Sequence, residues 1–258
     1  QSRKALIALD ELINRFPDEA LLFNLRGACY EAIHKFDQSI ESFSKAEEIH
    51  PHYAEAFYNL GVVQKKAGRP DDAINSYQRA IGINSHNANA HNNLGNLLTQ
   101  KGRIKESIEH LNLTLKLNPK FAEAHNNLGL ANMELNKLSE CINNFLLAIE
   151  CNPQYEGAYI NLGRIYRELD EFDHEVNCYK KFLKNKPNSS KILVQLGRAY
   201  RNKGKNKLAI DCFESSLDFN PESFSAYFEL ANEPEYKLNN KQIAIMESFA
   251  ENDALNED

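Results

Sequence analysis

The chain has 258 residues, 42% hydrophobic and 26% charged, with a formal net charge of -6 and a pI near 5.8. That balance supplies no general basic field for a nucleic-acid backbone, so any positive patch must be local. No run of about 18 apolar residues exists to cross a membrane, and the five cysteines are odd in number with no CxxC pair, which argues against a disulfide framework and a zinc site.

Cys29, Cys141, Cys151, Cys178 and Cys212 fall mostly in small or apolar slots and read as reduced packing residues of a cytosolic-type compartment, so a cytoplasmic location is expected. The sequence starts at Gln1, not Met, so targeting signals upstream are not legible in it. Asn112-Leu113-Thr114 and Asn188-Ser189-Ser190 match the glycosylation sequon, as chance allows in an Asn-rich chain.

An internal repeat overrides the usual reading of length as one or two globular domains. Gly27, Gly61, Gly95, Gly129, Gly163 and Gly197 are each separated by 34 residues, with Ala231 next in register. With that glycine at position 8, the chain divides into a lone second helix in 1–19, six units (20–53, 54–87, 88–121, 122–155, 156–189, 190–223) and a final segment, 224–258. The first segment ends at Pro17, and Pro51, Pro119, Pro153, Pro187 and Pro221 close later units at position 32, where proline cannot extend a helix; Ser85 replaces it once.

Each unit predicts a helix, a turn and a second helix. In 54–87, Phe57, Leu60 and Gly61 share a face at the i, i+3, i+4 spacing, and Gly68-Arg69-Pro70 breaks the helix. Asp71 and Asp72 then open the second helix, where acidic side chains suit the N-terminus, and Ala73, Tyr77 and Ala80 form its inner stripe. Position 8 is glycine and position 20 is small in Ala5, Ser39, Ala73, Ser107, Cys141 and Ala209, which predicts close approach of the paired helices; position 24 is aromatic or Leu throughout.

These columns resemble the tetratricopeptide repeat, whose pattern has an aromatic at position 4, Leu-Gly at 7 and 8, small residues at 20 and 27, an aromatic at 24 and Pro at 32. The resemblance implies an all-α, right-handed α-solenoid of antiparallel helix pairs, with first helices lining a concave groove. Arg26 where Leu is usual, Glu175 at the small slot and Phe182 at a position normally Ala depart from the pattern. They predict altered packing of the helix from Glu171 to Leu183.

Phe224 to Ala231 starts a seventh first helix, which Pro234 interrupts. Gln242 to Ala250, with Ile243, Met246, Phe249 and Ala250 on one face, predicts an amphipathic helix covering the open end, and the acidic stretch Asn252 to Asp258 is expected to fray. Leu230-Ala231, Tyr236-Lys237, Lys241-Gln242-Ile243 and Met246-Glu247 are similar to the junction in bacterial proteins that carry such repeats ahead of a sulfotransferase domain. That similarity implies a second reading of the chain: a substrate-positioning region whose catalytic domain lies beyond Asp258.

Positions 2, 5, 6, 9, 12 and 13 face the groove in the family. Position 6 carries Asn59, Asn93, Asn127, Asn161 and Gln195 in succession. An amide both donates and accepts, so such a column suits the backbone of an extended peptide, and it looks like the asparagine ladder in the repeats of O-GlcNAc transferase. Asn96 joins this face at position 9. Positions 9 and 12 become Arg164 with Arg167, then Arg198 with Arg201. Residues three apart share a helix face, so four guanidiniums are expected to converge. Glu168 and Glu171 lie four residues from Arg164 and Arg167, whereas Arg198 and Arg201 have no such neighbour and are expected to be free for a carboxylate, phosphate or sulfate.

Catalysis has no foothold in this pattern. HExxH, GxSxG and GxGxxG do not occur, and Gly204-Lys205 lacks the rest of a P-loop. His91 and His125 stand at position 4, the slot of Phe57 and Tyr159, which suggests core packing over metal binding. The sequence therefore predicts a non-catalytic scaffold without cofactor or metal, whose partner is a protein or extended peptide, including an acidic segment. Nucleic acid and membrane are not expected partners, and self-association through a terminal helix in another copy's groove is a third reading.

Overall fold

The computed structural model describes residues 2–254, and the described residues form helices joined by short turns, with no strand. The fold is an all-α helical repeat. A single helix, α1 (Ser2–Arg15), precedes a series of pairs: α2 and α3 (Ala20–Glu31, Phe36–Ile49), α4 and α5 (Ala54–Lys66, Pro70–Ile83), α6 and α7 (Ala88–Gln100, Ile104–Leu117). There follow α8 and α9 (Ala122–Glu134, Leu138–Cys151), α10 and α11 (Glu156–Glu168, Phe172–Asn185), α12 and α13 (Ser190–Asn202, Asn206–Phe219), then α14 (Phe224–Ala231) and α15 (Asn240–Ala254). The chain forms two compact units, residues 1–141 and 142–258.

Helix starts and stops recur with the sequence period. Asn87, Ser189 and Ser223 occupy the residue before a first helix, and their side chains accept from the backbone N–H of Ala90, Ile192 and Ala226. Each first helix of a full pair ends in one left-handed residue, at Gly68, Gly102 and Gly204 but also at His34, Asn136 and Asp170. The turn is thus set by geometry that glycine adopts freely and the other three adopt at some cost.

The core of each unit lies between consecutive helices. Phe57 and Leu60 of α4 are buried with Ala73, Tyr77 and Ala80 of α5, and burial of each large side chain contributes roughly 2–3 kcal/mol. The position 8 glycine is needed for a specific reason. A Cβ on Gly61 would stand 2.7 Å from the Tyr77 ring, and one on Gly95 would stand 2.7 Å from Leu111 Cγ. The near neighbour is position 24, while position 20 contributes differently: Ser39 and Ser107 donate to the carbonyls of Gly27 and Gly95 at 2.8 and 2.7 Å.

Two of the three departures noted in the sequence fall on α11. Glu175 and Phe182 are both fully buried, and α10 and α11 meet less extensively than the α4–α5 or α12–α13 pairs. At the chain's far end α14 stops at Ala231, short of Pro234, and α15 extends further than its apolar stripe suggested. Phe249 of α15 packs edge-on to Phe224 at a 5.6 Å ring separation and against Tyr227 at 6.5 Å. The side chain of Ala250 lies outside the described residues, as does the end of the acidic stretch expected to fray, residues 255–258.

Candidate functional site

In the first unit the position 6 amides are wired between repeats. Asn59 Nδ2 donates to Asn24 Oδ1 at 3.0 Å, Asn93 Nδ2 to the Tyr58 hydroxyl at 3.5 Å, and Asn127 Nδ2 to Asn92 Oδ1 at 2.9 Å. Each partner stands at position 5 of the preceding repeat. Asn127 also accepts from Asn96 Nδ2 at 3.1 Å, and Asn96 Oδ1 in turn accepts from Lys65 Nζ at 3.2 Å and Gln100 Nε2 at 3.1 Å. Positions 5 and 9 lie one turn apart on a helix, so the next repeat's position 6 side chain seats between them.

This wiring divides the column. Asn127 is buried, with both its Nδ2 and its Oδ1 in use. The Oδ1 atoms of Asn59 and Asn93 accept no hydrogen bond from another described residue, and both side chains are half-buried on the surface. Asn161 and Gln195 belong to the second unit and are likewise half-buried.

Gln195 lines a cleft of about 530 Å³ in the second unit. Val194 and Arg198, one residue before it and three after, share this lining with Lys191 of α12 and Ser225 of α14. These are positions 2, 5, 6 and 9, four of the six read from the sequence as groove-facing. The turns before α12 and α14 supply Lys186, Ser189 and Ser223. Glu156 of α10 completes the wall, accepting from Ser189 Oγ at 2.7 Å and standing 3.9 Å from Lys191 Nζ. The cleft therefore holds three cations against one carboxylate that already has partners.

The arginines are not free as the sequence suggested. Arg198 Nε donates to Glu229 Oε1 at 2.6 Å, and Arg201 Nη1 meets Glu229 Oε2 at 2.7 Å and Glu233 Oε1 at 3.4 Å. Both carboxylates are buried. The error came from searching within one helix: Glu229 is 31 residues from Arg198, the same position 9 to position 6 step that joins Asn96 to Asn127. Arg164 lies 3.8 Å from Glu168 as expected, but Arg167 reaches Glu175 at 3.9 Å, while Glu171 is 3.4 Å from His174.

Glu175 has no hydrogen-bond partner on either oxygen. Burial pushes its carboxyl up to about 7, with the Arg167 guanidinium pulling the other way. Burial raises the Cys178 thiol to about 12 as well, which keeps it protonated and unreactive. Among the described residues no cluster of three metal-ligating side chains occurs. His91 is buried, its Nε2 donating to the Ser85 carbonyl at 3.2 Å; its Nδ1 therefore accepts from His110 Nδ1 at 2.9 Å. His125 bonds the Pro119 carbonyl at 3.0 Å.

Stacked helix pairs with polar first-helix faces define the class: a helical-repeat protein of the kind that mediates protein–protein interaction. The chain belongs to the tetratricopeptide repeat family, which matches residues 18–85, 122–155, 156–189 and 178–211, with the related TPR repeat description matching 95–136. No curated protein matches the chain. Among solved structures it is similar to the APC/C hetero-tetramer Cut9–Hcn1, with TM-score 0.71 and 23% identity over 91% of this chain and 46% of that one. This chain thus spans about half the length of that relative. It is also similar to pilF of Pseudomonas aeruginosa (TM-score 0.63, 21% identity, 89% of this chain and 98% of that one). A third is YrrB, described as a TPR protein with an unusual peptide-binding site (TM-score 0.50, 19% identity, 74% and 98% covered). At these identities the likeness speaks for the fold.

Sequence reasoning missed Lys186, Lys191, Glu156, Glu229 and Glu233. Lys191 was within reach, since position 2 is groove-facing. Glu229 was readable as a carboxylate in the amide column. Lys186 sits in a turn, where no helical period points to it.

Proposed function

We propose that the chain is a non-catalytic scaffold that holds an extended polypeptide against the first-helix face of its repeats. The observation that carries this reading is the cleft of about 530 Å³ in the second unit, lined from positions 2, 5, 6 and 9. Gln195 gives it an amide that pairs with a peptide group, and Lys186 and Lys191 a positive rim that suits an acidic side chain. In the first unit, the Asn59 and Asn93 carbonyls suit successive backbone N–H groups. YrrB, with its peptide-binding site, is a member of the same fold that supports the reading.

The test is selection of random 12-residue peptides on the whole chain, followed by titration calorimetry of the enriched sequences. Gln195→Arg, which puts a long charged side chain into the cleft from a half-buried position, is expected to weaken their binding about tenfold or more. Equal binding by wild type and variant places the peptides elsewhere and removes the cleft from the reading.

A further inference from the structure

Charge is divided along the second unit. From Val176 to Ile210 there are ten Lys and Arg residues and no Asp or Glu; from Asp211 to Asp258 there are twelve Asp and Glu and two Lys. The two blocks already meet once within the fold, where Arg198 and Arg201 pair with Glu229 and Glu233. Lys186 and Lys191 stand at the cleft, while Asp218 and Glu222 are exposed on α13 and the turn that follows it.

Beside the cleft stand exposed aromatic side chains. Phe224 is flanked by Ser223 and Ser225, both of which line the cleft, and it stacks on Phe228 at 6.1 Å. Phe219, Phe224 and Phe228 are 53%, 51% and 50% exposed, close together in sequence and large. Aromatic side chains gathered inside a charged border have the composition of an interface centre.

A surface that carries exposed lysines, exposed carboxylates and exposed aromatics together can be self-complementary, since a two-fold axis sets the cations of one copy against the carboxylates of the other. We propose that this end of the second unit is a docking surface for a second copy of the chain. Phe224 and Phe228 of the two copies meet at the centre, and Lys186 and Lys191 of each face Asp218 and Glu222 of the other. The partner is assigned as a second copy because the chain carries both charge blocks side by side. The inference goes beyond peptide binding and does not depend on it.

Light scattering and sedimentation on the whole chain test it. A monomer–dimer equilibrium is expected, weakening about tenfold or more between roughly 50 and 500 mM salt as the border charges are screened. Lys186→Glu with Lys191→Glu makes both borders acidic, and Asp218→Lys with Glu222→Lys makes both basic. Each double variant alone is expected to lose dimerisation by about a hundredfold or more, because like charges then face each other twice. Mixed in equal amounts, the two should restore a dimer, since both contacts become opposite in sign again. These four residues are exposed, and unchanged helix content and melting would show that the variants fold. A wild-type chain that stays monomeric at low salt overturns the proposal, as does a dimer that ignores either reversal or a mixture that stays monomeric.

Discussion

Replacing Glu175 by Gln is expected to stabilise the second unit above neutral pH and to change it little near pH 5. The carboxyl is fully buried, neither oxygen has a hydrogen bond, and Arg167 approaches only to 3.9 Å. Burial therefore raises the folded-state value to about 7 from an ordinary 4.5. A group whose folded value is raised holds its proton longer in the folded state. Its contribution is complete below 4.5 and lost as pH climbs to 7. A gap of that size corresponds to about 3 kcal/mol, forfeited by the wild type at pH 8 and not by the neutral amide. Because repeat arrays need not unfold in one step, amide hydrogen exchange of α10 and α11 at pH 5 and pH 8 is the suitable assay. Glutamine should raise protection of those helices at pH 8 only. The same pH dependence in both proteins would refute the reasoning.

Gly61→Ala places a methyl 2.7 Å from the Tyr77 ring; a loss of about 1–3 kcal/mol is expected in urea denaturation, while Gly82→Ala, with open space around it, should be neutral or stabilising. Arg201→Ala leaves Glu229 and Glu233 buried with one guanidinium fewer, and should cost about 2–3 kcal/mol, below the full value for a buried pair because Arg201 is itself partly exposed. Burial lowers His91 and His110, with His91, Glu109, Glu106 and Arg103 also acting on His110. The first unit should therefore lose stability as pH falls below the ordinary value of 6.5, and His110→Gln should flatten that loss in thermal melts between pH 5 and 7.5. Asn127→Ala, which removes two hydrogen bonds, is expected to lower the melting temperature more than Asn59→Ala, which removes one.

The helix pairs were legible because a fixed period aligns six copies of each physical demand. Gly61 beside Tyr77, the prolines after most second helices and the break before Pro70 report local sterics, which act within one unit and repeat in the next. The groove face was legible by position: 2, 5, 6 and 9 do line the cleft. Its wiring was less so. Pairing of Arg164 with Glu168 follows from one helix, whereas Arg198 meets Glu229 across a repeat boundary. The i+4 rule covers only the former. The left-handed column also escaped, because His34 and Asp170 occupy it beside glycines and carry no composition signal of their own.

One geometric step accounts for both the neutral and the charged parts of this face. A position 6 side chain reaches the helix before it, Asn127 bonding Asn92 at position 5 and Asn96 at position 9, and Glu229 pairing with Arg198 at position 9. With amides on all sides, the seat makes hydrogen bonds of about 1 kcal/mol each and remains neutral. At Glu229 the preceding position 5 is Val194, which has no side-chain hydrogen bond to offer, and the carboxylate takes its compensation from arginines. Glu229 accordingly takes both Arg198 and Arg201. Lys186 and Lys191 of the same block, with no equivalent seat, stay at the surface. The division between cations fixed inside the fold and cations presented to a partner thus follows from register, and it is why Lys186 and Lys191, rather than Arg201, are the residues whose reversal should be felt by another chain.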